Sequence, residues 1–183
     1  LMETETRRIS RITSNLLSFS RETKLEITAL NLNSMLEDLL FLNSNFLKIS
    51  GVKVKKNFDP QLPDIIGDGE QLKQVFMNLI SNAAEAMEGT KEGTLHVATS
   101  HDRNNVTVLV EDTGVGIAQD TIPRLFDPFF STKAKGKGVG LGLSVAYGII
   151  QQHCGSIYVT SKQGQGTSIR VSLPLKQPKD KYD

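Results

Sequence analysis

Two asparagines, Asn78 and Asn82, stand one helical turn apart in the segment that predicts the strongest helix of this 183-residue chain. Within residues 69–88, apolar side chains recur at spacings of three and four, and polar side chains fall together on another side. Asn is a poorer helix former than Ala by roughly half a kcal/mol, so a face that only meets water favours other residues. An amide oxygen is a hard ligand of the kind that Mg²⁺ takes when phosphates share it. We therefore interpret the pair as functional, with a solvated helix face as the alternative.

A carboxylate followed by two glycines ends a predicted strand at DTGVGI, residues 112–117. One interpretation is that Asp112 accepts a hydrogen bond from the exocyclic amine of adenine, while Gly114 and Gly116 let the base approach the backbone. The other is a strand that simply ends in a turn, because a lone D-x-G-x-G pattern is only moderately specific. The residue types by themselves leave both interpretations open.

Glycine recurs at every second position where the chain enters a further segment, which predicts an apolar helix. The four glycines are Gly136, Gly138, Gly140 and Gly142. Exposed amides at a glycine-rich helix N-terminus form an anion site, and Lys133, Lys135 and Lys137 add positive charge beside it. The run is neither a G-x-x-x-x-G-K-[ST] loop nor a dinucleotide G-x-G-x-x-G motif, since it follows a long loop without a βαβ frame. A nucleotide would therefore be held by a different architecture, and a flexible loop with solvated lysines is the alternative.

Three of the eight phenylalanines lie in FDPFFSTK, residues 126–133, inside a long loop that spans 113–139. Loops of this length in a compact domain are usually functional. The aromatic side chains could pin the loop down over a bound ligand, as lids do. They could equally anchor the loop to the core, and the sequence does not separate the two.

The elements that must position these residues follow from periodicity and turn signals. Strands are predicted at 52–58, 93–101, 105–112, 156–162 and 167–173, and the weakly alternating segment 26–32 could add another. Helices are predicted from Asn33 or Ser34 to Ile49, at 69–88 and at 140–153, with a short one near 119–125. About five strands and three or four helices in mixed order predict an α+β fold, a two-layer sandwich of a mixed β-sheet and helices.

The N-terminal segment 1–23 predicts a helix with a narrower apolar stripe. The apolar positions of its seven-residue repeat are Met2, Ile9, Ile12, Leu16 and Phe19. This pattern, which Glu5 interrupts, favours the seam of a coiled coil or helical hairpin over an amphipathic helix packed on its own domain. Because the helical pattern begins without a capping residue, we expect the chain to be a fragment cut from a longer protein.

Composition narrows the classes of function. Apolar residues make up 38% of the chain and charged residues 22%, as in an ordinary globular domain. Lys and Arg number 21 against 20 Asp and Glu, and a net charge of +1 argues against a nucleic-acid binder that depends on bulk positive charge. The sequence has no apolar run near the length that spans a bilayer. A lone Cys154 excludes an internal disulfide and a Cys-rich metal site.

In this order, the four features resemble the ATP-binding domain of sensor histidine kinases. QVFMNLISNAAEAM (74–87) is similar to the N box, DTGVGI to the first glycine box, FDPFFSTK to the F box and GKGVGLGL (136–143) to the second glycine box. Residues 155–175 resemble the family's closing hairpin, and residues 1–22 resemble the second helix of its dimerisation and phosphotransfer hairpin. NAAEAM and FFSTK are similar to the subclass related to nitrogen-regulatory kinases. The resemblance implies the Bergerat-type ATP-binding fold, shared with gyrase B, heat-shock chaperones and mismatch-repair ATPases.

The resemblance also implies ATP and Mg²⁺ as cofactors and a role for each matching residue. Asn82 would ligate Mg²⁺, Asn78 would lie beside the transferred phosphate, and Lys133 would meet the phosphates in a catalytic role. Asp112 would bind the adenine amine. Further nucleotide contacts would come from Glu85, Gly114, Gly116, Ile117, Phe126, Lys137, Gly138, Val139, Gly140, Leu141, Gly142, Leu143 and Thr167.

Two positions depart from the family's usual pattern. Many members have Thr or Ser where Val139 stands, so a hydroxyl contact there is lost or unneeded. Many have a basic residue where Glu85 stands. A carboxylate cannot neutralise phosphate charge directly, and it could instead hold a metal-bound water or a base.

The implied activity is that of a protein-histidine kinase, which transfers the γ-phosphate of ATP to a histidine. None of His96, His101 and His153 stands where the family has its acceptor, so we expect the acceptor upstream of Leu1 and this fragment to be incomplete as an enzyme. One alternative is an ATPase of the gyrase or chaperone type, which has a Glu at the position of Asn78. An amide cannot act as that general base. The other alternative is a degenerate nucleotide-binding module without transfer activity.

The implied organisation is the second hairpin helix at 1–24, the ATP-binding catalytic domain at 25–175 and a tail at 176–183. The expected partners are the histidine-bearing dimerisation hairpin of the parent kinase and a response regulator, with a homodimer through residues 1–24 as an option. Neither nucleic-acid binding nor membrane contact is expected of this fragment, and its expected location is the cytoplasm.

Overall fold

A computed structural model describes residues 26–90, 92–131 and 140–176 of the chain. The described strands are β1 (Ile27–Leu30), β2 (Val52–Asn57), β3 (Ile65–Asp68), β4 (Gly93–His101), β5 (Asn105–Asp112), β6 (Ser156–Lys162) and β7 (Gly166–Pro174). The described helices are α1 (Leu32–Leu42), α2 (Ser44–Ile49), α3 (Gly69–Ala86) and α4 (Gly142–Gln152), and a short 3₁₀ helix spans Ile122–Arg124. The helix predicted at 1–23 lies outside the described residues.

A five-stranded sheet in the order β2-β4-β5-β7-β6 forms one layer of the fold. β2 pairs parallel with β4, whereas the other neighbouring strands of this sheet pair antiparallel. A small second sheet joins β1 to β3, also antiparallel. This arrangement confirms the predicted α+β sandwich with a mixed sheet.

The strands of the large sheet alternate apolar and polar residues, and the alternation gives the sheet two different faces. On β4 and β5 the side chains of Leu95, Val97, Val108 and Val110 are buried against the helices. The residues between them, such as His96, stay partly exposed on the opposite face. The helical layer therefore covers one face, and the other is polar and open.

Helix α3 supplies the centre of the core, because its apolar residues follow the helical spacing along one broad side. Leu72, Val75, Phe76, Leu79 and Ile80 are each no more than 1% exposed. Burying a large apolar side chain contributes about 1.5–3 kcal/mol, so this side holds the helix firmly between the sheet and α4.

The N-terminus of α3 is capped by Asp68, and the cap belongs to a buried cluster. The Asp68 side-chain Oδ1 accepts hydrogen bonds from the backbone N–H groups of Glu70 and Gln71, both at 3.0 Å. An aspartate at this position stabilises a helix by satisfying amides that have no partner inside it. The cap fixes the point from which all later residues of α3 are positioned.

His153 ties this same point to the end of α4. Its ring is 1% exposed, and its Nε2 accepts the Asp68 backbone N–H at 2.9 Å. Since Nε2 is the acceptor, Nδ1 carries the proton and donates it to the Ile149 carbonyl at 2.8 Å. A Cβ on Gly67 would lie only 2.8 Å from the His153 ring, so the glycine makes room for it. His153 is thus a structural histidine.

The other two histidines pair with carboxylates on the surface. His96 Nδ1 lies 2.9 Å from Glu111 Oε2, and this hydrogen bond holds the pKa of Glu111 below its usual value. His101 Nδ1 lies 2.7 Å from Asp59 Oδ2. A hydrogen bond from the Gln61 backbone, followed by the one from His101, lowers the pKa of Asp59.

Strand β2 forms one edge of the large sheet, and every residue of it after Val52 is exposed. Lys53, Lys55 and Lys56 stand along this edge. Lys53 pairs with Glu92 at 3.4 Å, and Lys56 pairs with Glu37. The edge is therefore lined with lysines.

The sequence placed several helix boundaries wrongly. The helix expected from Asn33 or Ser34 to Ile49 is capped instead by Asn31, whose side chain accepts the Ser34 N–H at 2.9 Å. It is also two helices, because the chain breaks at Asn43, whose amide donates back to the Leu39 carbonyl at 2.7 Å.

Smaller differences concern elements that contact partners distant in sequence. β3 and its pairing with β1 were not predicted, and the short helix near 119–125 is only the 3₁₀ helix. The helix expected from 140 begins at Gly142. By contrast, the β4–β5 hairpin has the bounds that the sequence predicts. None of the helices in the described ranges is long and apolar enough to cross a membrane.

We expect His153→Ala to lower the free energy of unfolding by about 2–4 kcal/mol, because it leaves a cavity and removes the partners of the Asp68 N–H and the Ile149 carbonyl. Urea unfolding followed by circular dichroism measures this. His101→Ala is the matched control, since its hydrogen bond to Asp59 is near the surface and its removal should cost much less. Equal losses in the two variants would contradict the structural role of His153.

Candidate functional site

The polar side of α3 faces the first turn of α4. The Asn78 amide donates to the Gly142 carbonyl at 3.3 Å, and a Cβ on Gly142 would lie 3.6 Å from Asn78 Cγ. This hydrogen bond uses an amide proton, so the Asn78 oxygen keeps its lone pairs. The start of α4 thus lies in contact with the asparagine, with ordinary van der Waals space for a Cβ at position 142.

Asn82 and Glu85 continue this side of α3 toward its C-terminus, and both are partly exposed. Ser81 Oγ lies 3.4 Å from Glu85 Oε1. At a rise of 1.5 Å per residue, Glu85 stands about 10 Å along the axis from Asn78. The two ends of the polar side therefore face different parts of the domain.

Four of the predicted site residues lie where the chain enters α4: Gly140 and Leu141 precede the helix, and Gly142 and Leu143 begin it. Leu141 is buried and stands at the helix N-cap without a side-chain capping hydrogen bond. Gly140 has a φ of +72°, and a Cβ on it would lie 2.5 Å from the Phe130 carbonyl oxygen. The first amides of a helix carry partial positive charge and need acceptors, which an anion can supply. The remaining residues of this segment, among them Lys133, Lys137, Gly138 and Val139, lie outside the described residues.

The loop after β5 is clamped to the C-terminal end of α3. Asp112 Oδ1 accepts the Gly114 N–H at 2.8 Å, and the Val115 N–H donates to the Ala86 carbonyl at 3.0 Å. A Cβ on Gly114 would lie 2.5 Å from the Ala86 carbonyl oxygen. Only glycine allows the loop to approach the helix backbone this closely.

Gly116 makes a similar approach to the β6–β7 hairpin. Its φ is +65°, and a Cβ there would overlap the Lys162 carbonyl. The Gly164 N–H donates to the Val115 carbonyl at 2.7 Å from the same hairpin. Sequence reasoning expected both glycines to admit a base. The structure gives them another reason, which is contact with neighbouring protein backbone.

Asp112 is the carboxylate of this end of the site. Burial raises its pKa, while hydrogen bonds from the Gly114 and Thr167 backbone N–H groups act in the opposite direction. Thr167 is directly opposite Asp112 in the β5–β7 pairing and is 8% exposed. Because residues paired in this way have side chains on the same face, Asp112 and Thr167 line one spot.

Three residues that the sequence did not single out complete this end. The hydroxyl of Ser161, which is 5% exposed, accepts the Ile117 N–H at 2.8 Å. The Gln119 side chain donates to the Ser161 carbonyl. Gly166, with a φ of +95°, leaves no space for a Cβ beside the Asp112 carbonyl. A serine in an alternating strand does not stand out in the sequence, whereas Gly164 and Gly166 at the turn from β6 to β7 can be recognised as turn residues.

The aromatic loop is partly anchored to the core. The Phe126 ring packs against Tyr147 of α4 with 5.1 Å between centroids, and Arg124 stacks 4.5 Å above the Phe130 ring. Phe129, in contrast, is 69% exposed and has a φ of +66°, which is unusual for a residue with a side chain. Phe126 therefore anchors the loop to the core, Phe130 makes a contact within the loop, and Phe129 is exposed at the surface.

The structure thus gathers the described site residues into two groups. Asn78 meets the first turn of α4, while Asp112, Gly114, Ile117 and Thr167 meet at the other end of α3. Within the described ranges no three His, Cys, Asp or Glu side chains form a metal cluster. A metal would therefore need amide oxygens and ligand oxygens around it, and Mg²⁺ tolerates such a set.

Comparisons with known proteins identify a matching family model and several relatives. Residues 67–177 match the family model described as histidine kinase-, DNA gyrase B- and HSP90-like ATPase. The chain is 35% identical to sensor histidine kinase ZraS of Escherichia coli (strain K12) over 96% of this chain and 37% of that protein. It is 36% identical to sporulation kinase A of Bacillus subtilis (strain 168), over 94% of this chain and 28% of the relative. The chain thus spans about a third of the length of these relatives.

A solved structure with the same fold is that of the histidine kinase ThkA in complex with the response regulator protein TrrA. It superposes with a TM-score of 0.77 at 28% identity, covering 94% of this chain and 48% of that one.

Alanine substitutions at Gly116 and Gly164 distinguish the cost of steric crowding from the cost of backbone strain. Gly116 and Gly164 both have positive φ, but an added Cβ meets backbone only at Gly116. We expect Gly164→Ala to cost about 1 kcal/mol of stability for its φ alone, and Gly116→Ala about 3 kcal/mol or more because the loop must shift. Chemical denaturation of both variants checks this, and similar costs would mean that the close approach is absent.

Proposed function

The chain belongs to the family of histidine kinase-, DNA gyrase B- and HSP90-like ATPases, and on that premise we propose that it is the ATP-binding catalytic domain of a sensor histidine kinase. It would bind Mg-ATP and transfer the γ-phosphate to a histidine on a dimerisation hairpin. The observation that carries the proposal is the contact between Asn78 and the first turn of α4. It puts an amide, where the related ATPases have a carboxylate, beside a helix N-terminus that attracts phosphate.

The phosphates would lie at the N-terminus of α4. The first helical amides offer hydrogen bonds and partial positive charge to an anion. Asn82 stands one turn after Asn78 on the same side of α3, and we propose its oxygen as the protein ligand of Mg²⁺. The metal would neutralise phosphate charge during transfer.

Adenine would lie at the other end of α3, against Asp112. The carboxylate is an acceptor for an exocyclic amine. The clamp of Val115 on the Ala86 carbonyl sets this end at a fixed distance from Asn78. An extended nucleotide would thus span the polar side of α3, with Glu85 near its middle or base end.

Transfer is favoured over hydrolysis because, among the described residues, the side chain that contacts the first turn of α4 from α3 is the amide of Asn78 and not a carboxylate. An amide cannot take a proton from water. Glu85, the nearest carboxylate along α3, is displaced by about 10 Å from Asn78. Positioning and electrostatic stabilisation would then carry catalysis.

The proposed partners follow from the relatives. The ThkA structure contains a response regulator, and we propose a response regulator as the partner of the phosphorylated protein here. A histidine-bearing hairpin would supply the acceptor, since His153 is buried and His96 and His101 are paired with carboxylates. We also propose that Lys133, Lys137, Gly138 and Val139 contact the nucleotide. Residues 1–24 would belong to a hairpin, and the domain would work in the cytoplasm.

We expect the chain to bind Mg-ATP and to phosphorylate a separately supplied hairpin that carries the acceptor histidine. Asn82→Ala should reduce transfer from γ-labelled ATP by about 100-fold or more, by analogy with the loss of one electrostatic group in other active sites. Asn45→Ala, an exposed asparagine on α2, is the matched control and should leave transfer unchanged. Binding without transfer would identify a degenerate module, and steady phosphate release without a hairpin would identify an ATPase.

A second expectation concerns Asp112. Asp112→Asn should abolish ATP binding in calorimetry, because an amide nitrogen then faces the adenine amine.

The same substitution should have the opposite effect on folding, and at neutral pH it should raise stability. Burial raises the pKa of Asp112, so the folded state binds a proton on this group more readily than the unfolded state. As the pH rises above the ordinary pKa of an aspartate, the ionised carboxylate therefore lowers the stability of the fold. Relative to Asp112→Asn, the unmodified protein should gain stability as pH falls from 7 toward 4, and a constant difference would contradict this.

A further inference from the structure

The buried hydroxyl of Ser161 makes contacts with three parts of the base end at once. Its Oγ lies 2.8 Å from the Ile117 backbone nitrogen, 2.8 Å from the Gly166 carbonyl oxygen and 3.0 Å from Thr167 Oγ1. Ser161 and Thr167 are two of the few buried polar residues in the part of the chain that the structure describes. Such a network has a definite direction in each of its hydrogen bonds.

Counting protons fixes that direction. A serine hydroxyl has one proton to donate and two lone pairs that accept. The Gly166 carbonyl can only accept, so it receives the Ser161 proton, and the Ile117 N–H can only donate, so it fills one lone pair. The second lone pair faces the Thr167 hydroxyl, which must therefore donate its own proton to Ser161. Thr167 is left with lone pairs only for any further neighbour.

This polarity matters because Thr167 is paired with Asp112 across β5 and β7. An ionised carboxylate alone does not distinguish the two kinds of purine. It can accept a hydrogen bond from the 6-amino group of adenine, and it can equally accept one from the N1–H of a 6-oxo purine. A second acceptor beside it rejects the 6-oxo group, since two sets of lone pairs would then face each other without a proton.

We propose that Ser161 is a specificity-determining residue which acts by orienting the Thr167 hydroxyl, so that Asp112 and Thr167 both present acceptors to the base and the site selects 6-amino over 6-oxo purine nucleotides. The inference rests on the proposed function, because it assumes that Asp112 faces the base. Ser161 itself is buried behind Thr167 and the loop, and it is a positioning residue.

The test compares ATP with inosine triphosphate, whose base carries a 6-oxo group and lacks the 2-amino group of guanine. Calorimetry on the 183-residue chain gives the ratio of the two dissociation constants for each variant. In Ser161→Ala the Thr167 hydroxyl can turn its proton toward the base and donate to the 6-oxo group. We expect the preference for ATP to fall by about tenfold, the effect of gaining one hydrogen bond and relieving one unpaired acceptor. Because the readout is a ratio, a general loss of folded protein cancels.

The Thr167→Val variant supplies the second arm of a double-mutant cycle. It removes the hydroxyl with little change of shape, so the preference for ATP should fall, and adding Ser161→Ala should change the ratio no further. Ser172→Ala is the control on the same strand. Its hydroxyl lies 3.3 Å from Thr107 Oγ1 on the open face of the sheet, and its removal should leave the ratio unchanged.

The outcomes separate this inference from the proposed function. If the unmodified chain binds neither nucleotide, the proposed function fails. If it binds ATP but Ser161→Ala weakens both nucleotides by the same factor, or if Ser161→Ala still lowers the ratio in the Thr167→Val background, the role of Ser161 is wrong while the function stands. A fall in the ratio that depends on Thr167 supports it.

Discussion

Helix α3 is held between the sheet and α4 and is tied to its neighbours at both ends. At its N-terminus the Asp68 backbone reaches the buried ring of His153, and at its C-terminus the Ala86 carbonyl receives the N–H of Val115. Because a helix is stiff along its axis, fixing its two ends also fixes the positions of the polar residues between them. The asparagines and the loop after β5 can act on one ligand because this single element positions both.

The two ends of the polar side differ in how their hydrogen bonds are satisfied. At the end near Asp112, the Ser161 hydroxyl, the glycine turns and the strand pairing are joined by hydrogen bonds within the protein. At the α4 end, the helix begins without a side-chain cap, so its first amides need acceptors from outside the helix. The end near Asp112 is thus organised by hydrogen bonds within the protein, whereas the N-terminus of α4 offers amides to an anion such as the phosphate that we propose above.

The elements that could be predicted from the sequence are those whose pattern is local and uninterrupted. β4 and β5 alternate without a break, and α3 keeps its apolar spacing over its whole length. The break at Asn43 could not be predicted in the same way, because it depends on a side-chain hydrogen bond to Leu39. β3 is a short strand that pairs with β1, which is distant in sequence, and a local sequence pattern does not reveal such a partner.

The site shows the same division. From residue types, the sequence predicts roles for Asn78, Asp112 and the glycine-rich runs. Residue types did not give the reason for Gly114 and Gly116, since the backbone that crowds them comes from α3 and the β6–β7 hairpin. Ser161 carried no signal, because its importance lies in what surrounds its hydroxyl.

The lysine-lined edge of β2 has a consequence for the behaviour of the whole molecule. A sheet that is bare on one face and ends in an open strand is a template on which another chain can add a strand. Here such an addition would bring the intruding backbone against Lys53, Lys55 and Lys56, whose charged ends need water. The lysines of β2 therefore oppose edge-to-edge association of further copies, even though the polar face of the sheet is uncovered in the described part of the chain.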